Sequence, residues 1–500
     1  MNVILVSSEV VPFAKTGGLA DVTGALPGEL RKAGHEVSVF MPGYAGCLNA
    51  NADIEATDIK FSIPLGKRLV EGSLHKSRIP GTDVTIYFVC NEQLFNRPGI
   101  YGENGEDYSD NSTRFIFFCR AVVEAVRMLE LSPDIVHCND WQTGLIPAII
   151  KLECASVPAF ENAATLMTIH NLAYQGTFWH WDMLITGIDW KHFNWQEMEF
   201  HGNLNLLKTG LVYADGITTV SPTYAREIQT AEQGCGLEGL LQHRRNVLSG
   251  ILNGIDPGEW NPATDELIPF NFDADNVGTG KPECKRVLQE ESGLEINPDV
   301  PLIGIVGRLA SQKGWSLILP VMRQWLESHD AQWVVLGTGD QNYHAVLTSL
   351  HRTFPKKLGL TLDFSNRLAH RIEAGSDLFV MPSQYEPCGL NQMYSMAYGT
   401  VPVVRATGGL ADTVINASPE NLAAGRANGF SFEPFTAEAL DSTLARACAM
   451  YIENKEAWRS LIQNGMNRDW SWSASANRYV EIYQDVINRH RQTRATQSTG

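Results

Sequence analysis

Short apolar runs alternate with amphipathic stretches from the first residues onward. Val3–Val6 is a β-rich run. A glycine-rich turn follows, then helical periodicity from Leu19 to Lys32 that stops near Gly34, then a second run, HEVSVFMP, at 35–42. This opening predicts parallel strands covered by helices. Runs at Val84–Val89, Asp134–Cys138, Thr165–His170 and Gly216–Val220 continue it, with a helix across Asn111–Leu129. From Asn253 to Pro301 the pattern loosens and Pro, Asn, Asp and Gly accumulate, which predicts a linker with one short helix near Lys285–Ser292. The alternation restarts at Pro301–Val306. It runs through a helix to about Ser328, then Gln332–Gly337, Leu360–Phe364, Asp377–Pro382 and Val401–Ala406. The expected architecture is α/β with two doubly wound halves, 1–253 and 301–472, around a linker at 254–300. A helix at 473–490 and a disordered tail at 491–500 complete the chain.

Composition narrows the classes. A chain of 500 residues exceeds one compact core. With 44% hydrophobic and 19% charged residues it reads as an ordinary globular protein. A formal net charge of −17 argues against a nucleic-acid partner, though a few local cations can reverse the field around an anionic ligand. Nine cysteines without a C-x-x-C pair fit buried thiols in a reducing compartment better than disulfides or a zinc site. The start, MNVILVSSEV, lacks a basic leader, and no apolar run reaches the ~20 residues of a membrane span. A cytoplasmic location with no membrane partner is expected.

Two nearly identical turns stand out, KTGGLADV at 15–22 and TGGLADTV at 407–414. Each falls between a strand and a helix, one per half. Such turns either connect elements or cradle an anion at a helix N-terminus. In the second half GRLASQKG places Arg308 and Lys313 after a strand, as a solvated basic turn or as a clamp for a diphosphate. EPCGL places Glu386 before a helix, where it either favours the helix dipole or accepts hydrogen bonds from a sugar. HCNDWQ and TIHNLAYQG put Asp140 and His170 at strand ends. Four of the 12 tryptophans crowd into Phe178–Trp195, as core packing or as a sugar-stacking surface. The GCGLEG stretch from Gly234 follows a helical segment rather than a strand, so it is no dinucleotide fingerprint. No P-loop or metal-spaced histidine set occurs, so no metal or bound cofactor is expected.

KTGGLADV, HNLAYQG, VSPTYAREI, ILNGID, GRLASQKG, EPCGL and TGGLADTV occur here in the order found in bacterial glycogen synthases and plant starch synthases, which the chain resembles from about Asn2 to Tyr483. The resemblance implies the GT-B arrangement of two Rossmann-like domains with a C-terminal helix crossing back to the first. It implies transfer of glucose from ADP-glucose to the non-reducing end of an α-1,4-glucan with retention. Carried over by motif, His170, Arg308, Lys313 and Glu386 are the expected catalytic residues. Lys15, Gly17, Gly18, Asp140, Asn253, Cys388, Gly389, Leu390, Thr407, Gly408, Gly409 and Leu410 are the expected substrate contacts. The choice of ADP over UDP rests on the resemblance alone. Four positions depart from wider patterns: Tyr394 where the superfamily often has a second Glu, Gln384 for Arg, Asn203 for Lys and Asn139 for His. A phosphorylase-like enzyme of the same fold would need a lysine marked for pyridoxal phosphate, which is absent. A catalytically silent glucan-binding protein is the alternative from another class.

Overall fold

Apolar runs without polar alternation occupy the middle of two parallel sheets, where helices cover both faces. The computed structural model describes residues 1–50, 53–103 and 105–498. The chain forms two units. One comprises Met1–Val220, Ala225–Asn253 and Trp472–Gly500, and the other Ser221–Tyr224 and Gly254–Ser471.

The first unit holds a nine-stranded sheet in the order Leu248–Gly250, Gly216–Thr219, Ala164–Ile169, Ile135–Asn139, Asn2–Val6, Glu36–Pro42, Thr85–Cys90, Arg68–Arg78 and Glu55–Leu65. All neighbours are parallel except the last two pairings. That antiparallel hairpin has no counterpart in the expected pattern. Its strand Glu55–Leu65 buries only Phe61, Ile63 and Leu65 between exposed residues, with Phe61 packed against Phe117 of the helix Asn111–Met128. One solvated face restricts the apolar signal to alternate positions, 59, 61, 63 and 65, in place of an unbroken run.

The second unit has six parallel strands, ordered Leu358–Thr361, Gln332–Leu336, Leu302–Val306, Leu378–Met381, Val401–Arg405 and Phe430–Phe432. Residues 254–300, expected as a linker, are built into this unit. The helix there spans Val277–Glu291 and begins eight residues before the expected start at 285. After Val277 its first two turns bury Gly280, Lys281 and Cys284 rather than large apolar residues, so its start carries little apolar signal. Lys281 Nζ donates to the carbonyls of Ala374 and Tyr398 and to Thr400 Oγ1, and Lys285 Nζ pairs with Asp377 Oδ2 at 2.7 Å.

The final helix, Trp472–Ser498, packs in the first unit against the helix Gly18–Lys32 and the strand Ala164–Ile169. Tyr483 reaches the buried His137, its hydroxyl 2.8 Å from Nδ1, while Thr168 Oγ1 lies 2.6 Å from Nε2. The helix continues past 490 through Ser498, correcting the expected start of a tail at 491; His490 beside Asp215 at 3.2 Å and Arg491 beside Asp134 at 3.5 Å hold that stretch. Residues 499 and 500 lie outside the described residues. No helix among the described residues is long and apolar enough to cross a membrane.

Candidate active site

Ligand crevices in open α/β sheets lie outside the carboxyl ends of the strands, where the strand order reverses. In the first unit the reversal lies between Asn2–Val6 and Ile135–Asn139. The chain leaving the first strand carries Glu9, which sequence reasoning missed. Its buried carboxylate accepts from the Thr16 backbone N–H, from Thr16 Oγ1 at 2.7 Å, from the Gly17 N–H at 3.3 Å and from the Tyr101 hydroxyl at 2.6 Å. Two amides of the expected anion cradle are therefore engaged within the protein. What the turn still offers is the start of the helix at Gly18, whose first N–H groups have no partner within the helix. Lys15 stands exposed, with Nζ 2.6 Å from Asp21 Oδ1.

Asp140 leaves the neighbouring strand at φ 56 and ψ −178. That region is nearly reserved for glycine and costs roughly 1–3 kcal/mol, a strain that points to function. Its Oδ1 accepts the His170 backbone N–H at 2.7 Å. Asn139 fixes the imidazole, with Oδ1 2.9 Å from Nε2 and its own Nδ2 donating to the Val6 carbonyl at 3.1 Å. An amide oxygen facing Nε2 places the ring proton there. Burial holds His170 neutral, lowering its pKa to about 3, and does the same to His137. Burial also pushes Asp140 up to about 7, against the pull of backbone N–H groups from His170 and Asn171. Asn253 is buried, and its Oδ1 has no hydrogen-bond partner among the described residues.

In the second unit the order reverses between Leu302–Val306 and Leu378–Met381. The structure joins two predicted residues there. Lys313 Nζ lies 2.6 Å from Glu386 Oε2, which also accepts from Ser383 Oγ at 2.9 Å. Glu386 is buried and Lys313 partly exposed. Backbone lacing holds the two loops in register, with Gln384 N–H donating to the Gln312 carbonyl at 2.8 Å and Gln312 Nε2 to the Tyr385 carbonyl at 2.7 Å. Arg308 is exposed, its carbonyl anchored by Trp315 Nε1 at 3.2 Å. Gln312 has no local sequence signal, because it acts through a contact 73 residues away, whereas Ser383 reaches Glu386 only three residues on and was simply not singled out.

The second glycine turn packs on this loop. Gly409 N–H donates to the Glu386 carbonyl at 3.1 Å, and Gln392 Nε2 ties the Cys388 and Gly389 carbonyls at 3.2 and 2.9 Å. Thr407 precedes the helix Gly408–Thr413, and Leu410 is fully buried, as a packing residue would be; Leu390 precedes the helix Asn391–Ala397. The motif aspartate, Asp412, accepts from both the N–H and Oγ1 of Thr223, each at 2.7 Å. Tyr394, at the superfamily's second-Glu position, is stacked on Trp260 at 3.8 Å, and Trp260 in turn stacks on His370 at 3.9 Å. Packing consumes that position.

Comparison with known proteins identifies the family and the fold. The family described as "Starch synthase catalytic domain" matches residues 2–243, and "Glycosyl transferases group 1" matches residues 289–468. The glycogen synthase of Rhodopirellula baltica is 46% identical over 505 residues, covering 99% of this chain and all of that protein. The chain belongs to the glycogen synthase family. Glycogen synthase 2 of Geobacter sulfurreducens is 45% identical over 491 residues, covering 98% of this chain and all of its own length. Among solved structures, the catalytic domain of Starch Synthase IV from Arabidopsis thaliana bound to ADP and acarbose is 32% identical, with a TM-score of 0.88 over 97% of this chain and 99% of that one. The fold is GT-B.

The two glycine turns differ in tolerance. A Cβ on Gly408 or Gly409 would sit 1.9 or 2.0 Å from the carbonyl oxygen of Glu386 or Cys388, whereas a Cβ on Gly17 meets nothing within 4 Å. Gly408→Ala or Gly409→Ala should cost about 3 kcal/mol or more in urea denaturation, and Gly17→Ala less than about 1 kcal/mol; equal losses would contradict the packing described.

The buried titrating groups set a second expectation. Folded His137 and His170 bind fewer protons than the unfolded chain between pH 3 and 6.5, so their contribution is lost as pH falls through that window. Asp140 acts oppositely, its folded carboxyl keeping a proton up to about pH 7, so its contribution is lost as pH rises from 4 to 7. Asp140→Asn should therefore steepen the loss of stability on acidification between pH 6.5 and 4 by about 1.4 kcal/mol per pH unit. Parallel stability–pH curves for variant and wild type would refute the assignment.

Proposed function

We propose that this protein transfers glucose from ADP-glucose to the non-reducing end of an α-1,4-glucan with retention of configuration. The carrying observation is the buried Glu386 carboxylate bridged to Lys313, with Arg308 on the adjoining strand end. Breaking the anomeric C–O bond leaves positive character on glucose and adds negative charge to ADP. A carboxylate suits the hydroxyls of the first, and two cations suit the second. The names of the relatives and the ADP and acarbose bound to the starch synthase support the same substrates.

Roles follow residue by residue. Arg308 and Lys313 neutralise the leaving diphosphate, and Lys313 is shared between phosphate and Glu386. Glu386 and the backbone of Cys388–Leu390 hold the donor glucose. Thr407–Leu410, Lys15, Gly17, Gly18 and Asn253 are assigned as further donor contacts. A neutral His170 with a pKa near 3 is a poor proton donor at neutral pH, so its task is to hydrogen-bond the transferred sugar, positioned by Asp140 and Asn139. Glu9 is engaged by the turn and Asp140 by the His170 N–H, so neither carboxylate is assigned as a nucleophile. Retention is then achieved by front-face attack guided by the leaving phosphate.

Incorporation of labelled glucose into glycogen, with ADP-glucose and UDP-glucose side by side, tests the reading. Primer-dependent incorporation from ADP-glucose is expected, cut about 10²–10³-fold in Arg308→Gln. No incorporation from either donor would overturn it.

A further inference from the structure

The stretch DPGEWNP at 256–262 sets a lone tryptophan among turn-forming residues. Residues 256–259 are exposed, and Trp260 at their end is partly buried. The chain turns on Asp256, whose carbonyl accepts the Trp260 N–H at 2.8 Å and whose Oδ1 accepts the Gly258 N–H at 2.8 Å. The indole lies parallel to two other rings. His370 is 3.9 Å away at 13° and Tyr394 3.8 Å away at 10°. Two rings that close cannot share one face, so the indole is inserted between them. The far end of this stack is tethered. Buried Asp265 accepts from His370 Nδ1 at 2.7 Å and the Tyr398 hydroxyl at 2.6 Å through Oδ2, and from the Leu267 N–H at 2.8 Å through Oδ1. The near end, Tyr394, belongs to the helix Asn391–Ala397 that follows the Glu386 loop.

We infer that Trp260 is a positioning residue for the donor glucose, acting through Tyr394 on the backbone of Cys388–Leu390; the inference rests on the donor role proposed above for that backbone. The link is short, because the Tyr394 N–H donates to the Leu390 carbonyl at 3.0 Å. The first turn of the same helix reaches forward. Asn391 Nδ2 donates to the Val306 carbonyl at 2.9 Å, at the strand end before Arg308, and Gln392 Nε2 holds the Cys388 and Gly389 carbonyls. Its second turn is held from behind, by Ser395 Oγ donating to the buried Glu373 at 2.6 Å and by Tyr394 resting on Trp260. A helix of seven residues has too few hydrogen bonds of its own to fix its place, so packing sets it. Trp260 also packs against the small apolar cluster that includes Phe272 and Val277, and its ring meets Tyr398 at 75°. Core filling accounts for those contacts. It does not account for both faces of the indole being given to a tethered imidazole and to the helix behind the donor loop. Rings stacked under 4 Å apart leave no slack along the stack. Loss of the indole therefore reaches the glucose before the diphosphate, which Arg308 and Lys313 hold from another loop.

Calorimetric titration with ADP and with ADP-glucose, primer absent, isolates the sugar. Trp260→Ala should weaken ADP-glucose about 10-fold, the worth of roughly one hydrogen bond, and leave ADP within about twofold. In steady-state transfer its kcat should fall about 10²-fold while the KM for glycogen stays within about twofold. Trp260→Phe, which keeps a flat ring between His370 and Tyr394, should recover most of both losses and serves as the folding control by thermal melting. Tyr394→Leu takes away the other partner of the stack and should show the same selective loss, so the test stands even where the alanine variant does not fold. An unchanged ratio of the two affinities in folded variants would overturn the proposal, whatever the melting temperature, since Trp260 would then only stabilise. Equal weakening of both nucleotides would overturn it too. The titration needs no turnover. A wild-type protein that incorporates no glucose, but whose variants show the selective loss, would leave the positioning role standing and sink the proposed reaction instead.

Discussion

A buried carboxylate at the edge of a parallel sheet constrains the second half of this molecule. Taking Glu386 out of water is expensive unless charge and hydrogen bonds meet it. Lys313 and Ser383 meet the side chain, and Gly409 takes the backbone carbonyl of the same residue. Each partner arrives from a different strand end, so one residue fixes the relative placement of three loops. Removing the lysine alone would strand a negative charge. The pair is therefore a unit in the folding sense before it is one in the chemical sense.

The repeated turn now has a physical reading. Both copies connect a strand to a helix, yet they are built differently. In the first, Glu9 gathers the turn's amides, Gly17 has open space around it, and Asp21 pairs with the exposed Lys15. In the second, the glycines are pressed on the Glu386 loop and Asp412 caps the segment at Thr223. The same local sequence serves a loose, charge-bearing turn in one unit and a close-packed one in the other. Tertiary surroundings, not the motif, decide which glycines are obligatory.

Much of this was legible beforehand because buried parallel strands advertise themselves as apolar runs and their carboxyl ends then locate the polar groups. The positions of Arg308, Lys313, Glu386, Asp140 and His170 beyond strand ends were read that way. What stayed hidden shares a cause. Glu9 matters partly through Tyr101, a contact 92 residues away that only the fold creates. The helix Val277–Glu291 buries Lys281 and Lys285, so only its second half was read from the sequence, and the outermost strand is apolar only at alternate positions. The tryptophan cluster stayed ambiguous in the sequence, which fits core packing as well as an outward-facing surface, and its four indoles face solvent.

The central claim is that Lys313 and Glu386 act as one device. A double-mutant cycle on kcat/KM for ADP-glucose, using Lys313→Gln, Glu386→Gln and both together, tests it most directly. The account predicts strong non-additivity, with the double variant no more than about threefold worse than the poorer single one. Losses that multiply would contradict it, and would mean that the two residues serve the reaction independently despite their 2.6 Å contact.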